Sequence, residues 1–232
     1  FWMRPLALVF YITFIAAALW HAPRAVDPLL ARFAPHVPAL LLQPADWWES
    51  EWSQLPSQRK ERDPGQRWTL DVQIAGPLSP LQQQLLAHGW QPQPQADWTA
   101  TLGLLDDDTP PSQQPVLPAT LGSEAETLML RRHLDDDHAE VLRLWRAPAR
   151  LADETPLWIG TTQTLRSSRP FGLFGIWLPE ADEHASYRDL RKGLTMFAQR
   201  EDVHPVSGAP ILRLRTDERL PSVDQPDQRV KP

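Results

Sequence analysis

The chain has 232 residues, a net charge of −6 and no cysteine. The acidic balance favours no nucleic acid, and the missing thiols remove disulfides, thiol catalysis and cysteine-ligated zinc together. Twenty-five prolines and eleven tryptophans point to many stiff loops and to a core or interface rich in large amphipathic rings.

The first segment carries no charge from Pro5 to Trp20. As a helix, Phe1 to Trp20 spans roughly 30 Å, the thickness of a bilayer's hydrocarbon core. Trp2 and Trp20 sit at its two ends, where amphipathic rings prefer the lipid–water boundary, and Arg4 is close enough to one end to extend its charge to water. Residues 1–22 are therefore expected to form a transmembrane helix among membrane lipids. A signal peptide is the first alternative, with Met3-Arg4 as a basic start and Ala16-Ala17-Ala18 as a cleavage site. Against it, the apolar run continues through Leu19 and Trp20, and the chain starts at Phe1. A buried core helix fits less well, because the run is apolar on every face. The segment also fits the last of several spans in a longer protein. Arg24 and Arg32 after the run, against Arg4 before it, place the following domain on the cytoplasmic side.

Residues 23–66 read as a juxtamembrane connector of short helical pieces. Leu40-Leu41-Leu42 is too short to span a bilayer. Asp46 is placed to cap a short helix that carries Trp48 and Trp52 on one face. Those rings suit either a headgroup-level belt or packing against the domain, and the flanking acids favour packing.

A folded domain is expected over residues 67–216. Trp68, Leu70, Val72 and Ile74 alternate with polar residues and predict a half-buried strand. Gly76-Pro77 breaks it. Ser79 as N-cap, Pro80 and Gln82 then start a helix with Leu78, Leu81 and Leu85 on one face, ended by Gly89. Trp98 to Leu104 alternates again, followed by a polar loop from Asp106 to Gln114. Strands are expected at Thr127 to His133 and Ala139 to Arg146, with Asp135-Asp136-Asp137 as the hairpin loop, then at Leu157 to Thr164 and Leu173 to Trp177. Ser186 and Asp189 form a capping box for a helix with Tyr187, Leu190, Leu194 and Phe197 on its apolar face. Ile211 to Arg215 closes as a short strand, and residues 217–232 read as a disordered tail. The fold class is α+β: a mainly antiparallel sheet with two helices on one face, preceded by one N-terminal transmembrane helix.

Candidate chemistry is sparse. The two Asp triplets, at 106–108 and 135–137, suit a hard cation, but consecutive acids diverge and solvated loops explain them better. His133, Asp135 and His138 lack a third convergent ligand, so no metal or cofactor is called for. No nucleophile elbow and no glycine-rich phosphate loop occurs, and no catalytic residue is assigned. Arg143, Trp145 and Arg146 are the candidate ligand-binding residues. Arg143 and Trp145 share a strand face, where a guanidinium beside an indole can grip an anionic headgroup or phosphate. The alternative is an arginine packed over a core tryptophan and paired with an acid, which is the commoner arrangement.

The strings Leu142-Arg143-Leu144-Trp145-Arg146 and Pro156-Leu157-Trp158-Ile159-Gly160-Thr161 resemble the paired signature of the LssY C-terminal domain family. The Gly76-Pro77-Leu78 to Gly89-Trp90 helix and Pro115-Val116-Leu117-Pro118 fit the same order, as do the late helix and the closing strand at Ile211, over about residues 25–215. The resemblance implies a bacterial inner-membrane protein whose domain follows the last membrane helix of a phosphatidic-acid-phosphatase-type enzyme, sometimes after a DedA-like domain. It also implies an association with type I secretion. The implied role is a non-catalytic accessory domain that serves a membrane lipid phosphatase or a transport system. The alternative is the C-terminal part of such a phosphatase, with its catalytic spans upstream of Phe1. The phosphatase signatures themselves are not met. Arg169-Pro170 lacks its Lys, Ser168-Arg169 has Gly175 where the His belongs, and Val206-Ser207-Gly208-Ala209 lacks a His.

Overall fold

A computed structural model of the chain describes residues 12–17, 40–60, 67–93, 110, 114, 116–122, 124–169, 175–180 and 185–219. The chain forms two compact units, residues 1–38 and 39–232. In the first, residues 12–17 are helical and expose Ile12, Phe14 and Ile15. The rest of the expected anchor over 1–22, with Trp2, Arg4 and Trp20, lies outside the described residues. Among the described residues no helix is long and apolar enough to cross a membrane.

The second unit is built on one mixed sheet. Its strands are β4 (Val72–Ala75), β5 (Gln91–Pro92), β8 (Leu128–His133), β9 (His138–Arg146), β11 (Leu157–Ser168), β12 (Ile176–Pro179), β13 (Phe197–Val203) and β14 (Pro210–Arg219). They run in the order β13-β14-β4-β11-β9-β8-β5. All pairs are antiparallel except β14 with β4. Short strands β1 (Leu40–Leu42), β2 (Gln58–Lys60), β3 (Arg67–Thr69), β6 (Thr120–Leu121), β7 (Glu124–Ala125) and β10 (Ala149–Leu151) form three two-stranded pairs beside it.

β11 is twelve residues long and organises the sheet. One edge pairs with β9 along most of its length. The other is divided, with Leu157–Gly160 on β4 and Leu165–Ser168 on β12. In the gap, the Asp71 carboxylate replaces the missing ladder. It accepts from the Thr162 backbone N–H at 2.9 Å and from the Thr162 hydroxyl at 2.7 Å. This explains a difference from the sequence reading: the expected eight-residue strand is two strands, broken at Leu70-Asp71, because Asp71 has turned inward. Val72–Ala75 is buried on both faces and not half-buried, since layers cover both sides of β4.

Helices α2 (Leu78–Ala87) and α3 (Ala185–Gly193) cover one face. Leu81, Leu85, Tyr187, Leu190 and Leu194 pack on Val72, Ile74, Leu142, Leu144, Leu212 and Leu214. Both helices thus lie on one face, as their apolar stripes require. α2 begins at Leu78 with Pro77 as N-cap and no side-chain cap, so Ser79 lies inside the first turn and not at the cap. Gly89 sits just past its end with φ +82°. α3 is shorter than its pattern: Leu194 falls in a turn and Phe197 opens β13, although both are buried.

The other face is covered by residues expected to be a connector. α1 (Pro44–Glu49) and a 3-10 turn (Glu51–Gln54) follow β1, which pairs in parallel with β10. Gln43 precedes α1, and Asp46 lies within its first turn and does not cap it. Leu42, Trp47, Trp52 and Leu55 are buried against Trp145, Leu157, Ile159 and Ile211. The Gln73 amide accepts from Trp47 Nε1 at 3.1 Å and donates to the Trp52 carbonyl at 3.1 Å. The Arg213 guanidinium lies 4.7 Å from the Trp52 ring and 5.5 Å from the Trp48 ring. The two rings therefore pack on the domain, and the unit starts at Ala39 and not at Arg67. At the other end, β14 runs to Arg219 into the expected tail, whose residues 220–232 lie outside the described residues, as does the strand expected at Trp98 to Leu104.

Candidate functional site

The alternation of β9 puts Arg143 and Trp145 on the face covered by the N-terminal segment. Arg143 is 5% exposed. Its Nη1 donates to Glu126 Oε2 at 2.7 Å and its Nη2 to the Leu117 carbonyl at 2.9 Å. Trp145 is fully buried, and the guanidinium beside it is that of Arg59, 5.6 Å from the ring. Arg146 is exposed on the opposite face, 6.0 Å from the Trp158 ring, whose Nε1 donates to the Gly76 carbonyl at 2.9 Å. The three candidate residues thus divide between two faces and do not converge on one pocket.

Three buried arginines from three strands fasten the irregular segment that precedes β8. Arg131 Nη1 donates to the Gln114 carbonyl at 2.7 Å, Arg143 Nη2 to the Leu117 carbonyl, and Arg59 Nη1 to the Thr120 carbonyl at 3.1 Å. Those carbonyls recur every third residue, and among the described residues of this stretch none pairs in a ladder until β6. Gln114 is buried while Leu117 and Thr120 are exposed, and in each case a buried arginine supplies the carbonyl's donor. Burial lowers the Arg131 pKa from its ordinary value.

The β8–β9 hairpin separates the other sequence candidates. His138 Nδ1 lies 2.9 Å from Asp135 Oδ1, while the His133 ring stands edge-on to Trp177 with centroids 5.9 Å apart. The backbone N–H of Asp137, then the His138 ring, hold the Asp135 carboxyl below its usual range. Among the described residues no three His, Cys, Asp or Glu side chains gather as a metal site.

A cleft of about 600 Å³ opens where β11 and β12 run out. It is lined by Arg166, Ser167, Ser168, Arg169 and Glu180, with Leu178 and Pro179 as its apolar side. From the sequence alone Ser168-Arg169 stands only as an unmet phosphatase signature, because its surroundings come from the register that sets Arg166 between His138 and Leu178.

The LssY C-terminus family matches residues 52–169, from the 3-10 turn to the end of β11. The match takes in the two signature strings on β9 and β11 and stops before α3 and β14, a narrower span than the sequence resemblance. No curated protein and no solved structure matches the chain. With half of its length matched, the chain belongs to the LssY C-terminus family.

Proposed function

We propose that the protein is a membrane-held accessory module whose α+β domain works at the surface of a bacterial inner membrane, beside a membrane lipid phosphatase or a transport system. The observation that carries this reading is the uncharged run Pro5–Trp20, whose described part is helical and exposes Ile12, Phe14 and Ile15. An exposed apolar helix is unfavourable in water and stable in lipid. The charges at Arg24 and Arg32 favour the cytoplasmic side for the domain. The enzyme partner rests on the family resemblance alone.

Membrane fractionation tests the reading. The full chain is expected to stay in the pellet through high-salt and carbonate washes and to leave it with detergent. Deletion of residues 5–20 is expected to release it. A full chain that comes off with salt, or that never pellets, overturns the proposal. Chemical cross-linking in those membranes is expected to recover a multi-span lipid phosphatase or transporter, and recovery of neither removes the accessory role.

A further inference from the structure

We propose that the cleft at the ends of β11 and β12 binds a phosphate monoester, carried on a small soluble molecule or on a lipid headgroup. Six other arginines are each paired with an acid: Arg132 with Glu140, Arg143 with Glu126, Arg191 with Glu201, Arg200 with Glu49, Arg213 with Asp202 and Arg215 with Asp217. Arg166 and Arg169 are both exposed, both line the cleft, and have no acidic partner among the described residues. Two cations that line one cleft repel each other, so a dianion bound there relieves a cost as well as forming bonds. Their planar forks suit the terminal oxygens of a phosphate.

The remaining lining fits the same ligand. Strand alternation puts Ser168 on the face of Arg166, and the Ser168 hydroxyl makes no hydrogen bond among the described residues. Glu180 is the one acid of the lining, and its carboxylate lies 3.8 Å from His138 Nε2 and outside ion-pair distance of both arginines. His138 is itself held by Asp135 on its other nitrogen. The negative charge of the lining is thus turned toward the hairpin. A volume of about 600 Å³ exceeds what a bare ion fills and leaves room for the group that bears the phosphate, against Leu178 and Pro179.

The inference does not rest on the membrane reading. A chain that fails to pellet can still bind a soluble phosphate ester, and a membrane-held chain without phosphate affinity leaves that reading intact. The test uses the full chain in mild detergent, titrated calorimetrically with glycerol 3-phosphate. In parallel, the chain in lipid nanodiscs is compared between phosphatidate and phosphatidylglycerol at equal charge. Binding to at least one phosphomonoester probe is expected, weakened tenfold or more by R166Q and by R169Q. R150Q, which removes an exposed arginine outside the cleft, is expected to bind as the parent does. Melting temperatures of the three variants are expected to match the parent, since all three side chains are exposed. As a measurement on the unaltered chain, glycerol 3-phosphate or phosphatidate is expected to protect Arg166 and Arg169 from phenylglyoxal. Binding of glycerol 3-phosphate assigns a soluble ligand, and binding of phosphatidate alone assigns a headgroup. No binding to either probe, or equal binding by the parent and the R166Q/R169Q double variant, overturns the proposal.

Discussion

Replacing Arg143 by Met decides whether this residue binds a ligand or holds the fold together. Its side chain and that of Glu126 are 6% and 3% exposed, with 2.7 Å between Nη1 and Oε2. The substitution removes that charge-assisted bond and the one to the Leu117 carbonyl, and it leaves the Glu126 carboxylate buried without its guanidinium. Each bond to a charged group contributes about 1.5–3 kcal/mol, and breaking a buried pair from one side costs about 3–5 kcal/mol. For a domain of this size that lowers the melting temperature by about 6–20 °C. E126L strands the arginine and is expected to cost a similar amount. The double variant R143M/E126L removes both charges and is expected to be more stable than R143M by about 2 kcal/mol, because no buried charge is left over. Urea unfolding followed by tryptophan fluorescence reads all four corners of the cycle. A cost below about 1 kcal/mol for R143M, or a double variant as unstable as the sum of the singles, refutes the structural role. A ligand-gripping Arg143 predicts the reverse: unchanged stability and lost anion binding.

Three further predictions follow from the packing. A Cβ at Gly160 would stand 2.4 Å from the Arg143 carbonyl oxygen and 2.4 Å from Leu144 Cδ2, so G160A forces β9 and β11 apart and is expected to cost about 1–3 kcal/mol in chemical denaturation; an unchanged midpoint would show that the strands have slack there. Burial first, then the nearby Glu201 carboxylate, raises the Tyr187 pKa above its ordinary 10.0. The stability this contributes is complete below about pH 10 and is lost as pH rises from there toward the folded-state value, so alkaline unfolding is expected to be steeper in the parent than in Y187F, and identical curves would contradict it. A chain that starts at Arg67 is expected to lack cooperative melting by circular dichroism, whereas one that starts at Ala39 retains it, because Leu42, Trp47, Trp52 and Leu55 belong to the core; equal melting of the two would make residues 39–66 dispensable.

Much of the sheet was legible because its signals are local. Thr127 to Arg146 alternates around an Asp-rich turn, and the hairpin β8–β9 lies there. α2 and α3 show their apolar stripes, though neither Ser79 nor Phe197 does what its spacing suggests. What escaped either breaks the local pattern or depends on partners distant in sequence. β13 reads Phe-Ala-Gln-Arg-Glu-Asp-Val, an edge strand whose charges interrupt the alternation. The segment Leu40–Gln54 looks like a proline-bounded connector until Gln73 and Arg213 are seen to hold its tryptophans. Arg143 and Trp145 do share a face, as period two requires. The partners that decide their role, Glu126 and Arg59, come from elsewhere in the chain. The cleft was hidden for the same reason, since only the β11–β12 register assembles it.

The parallel pairing of β14 with β4 also governs the order in which the chain becomes a domain. Leu212 stands beside Val72 in the sheet, although nearly the whole domain separates them in sequence. During synthesis β4, α2 and the β8–β9 hairpin emerge first, and β4 waits with one edge open and with Ile211, Leu212 and Leu214 missing from the layers on either side. At about 5–20 residues per second that wait is on the order of ten seconds, long on the scale of strand pairing. The nascent chain therefore presents a bare strand edge to other chains until its last strand arrives, and truncation before Pro210 makes that state permanent.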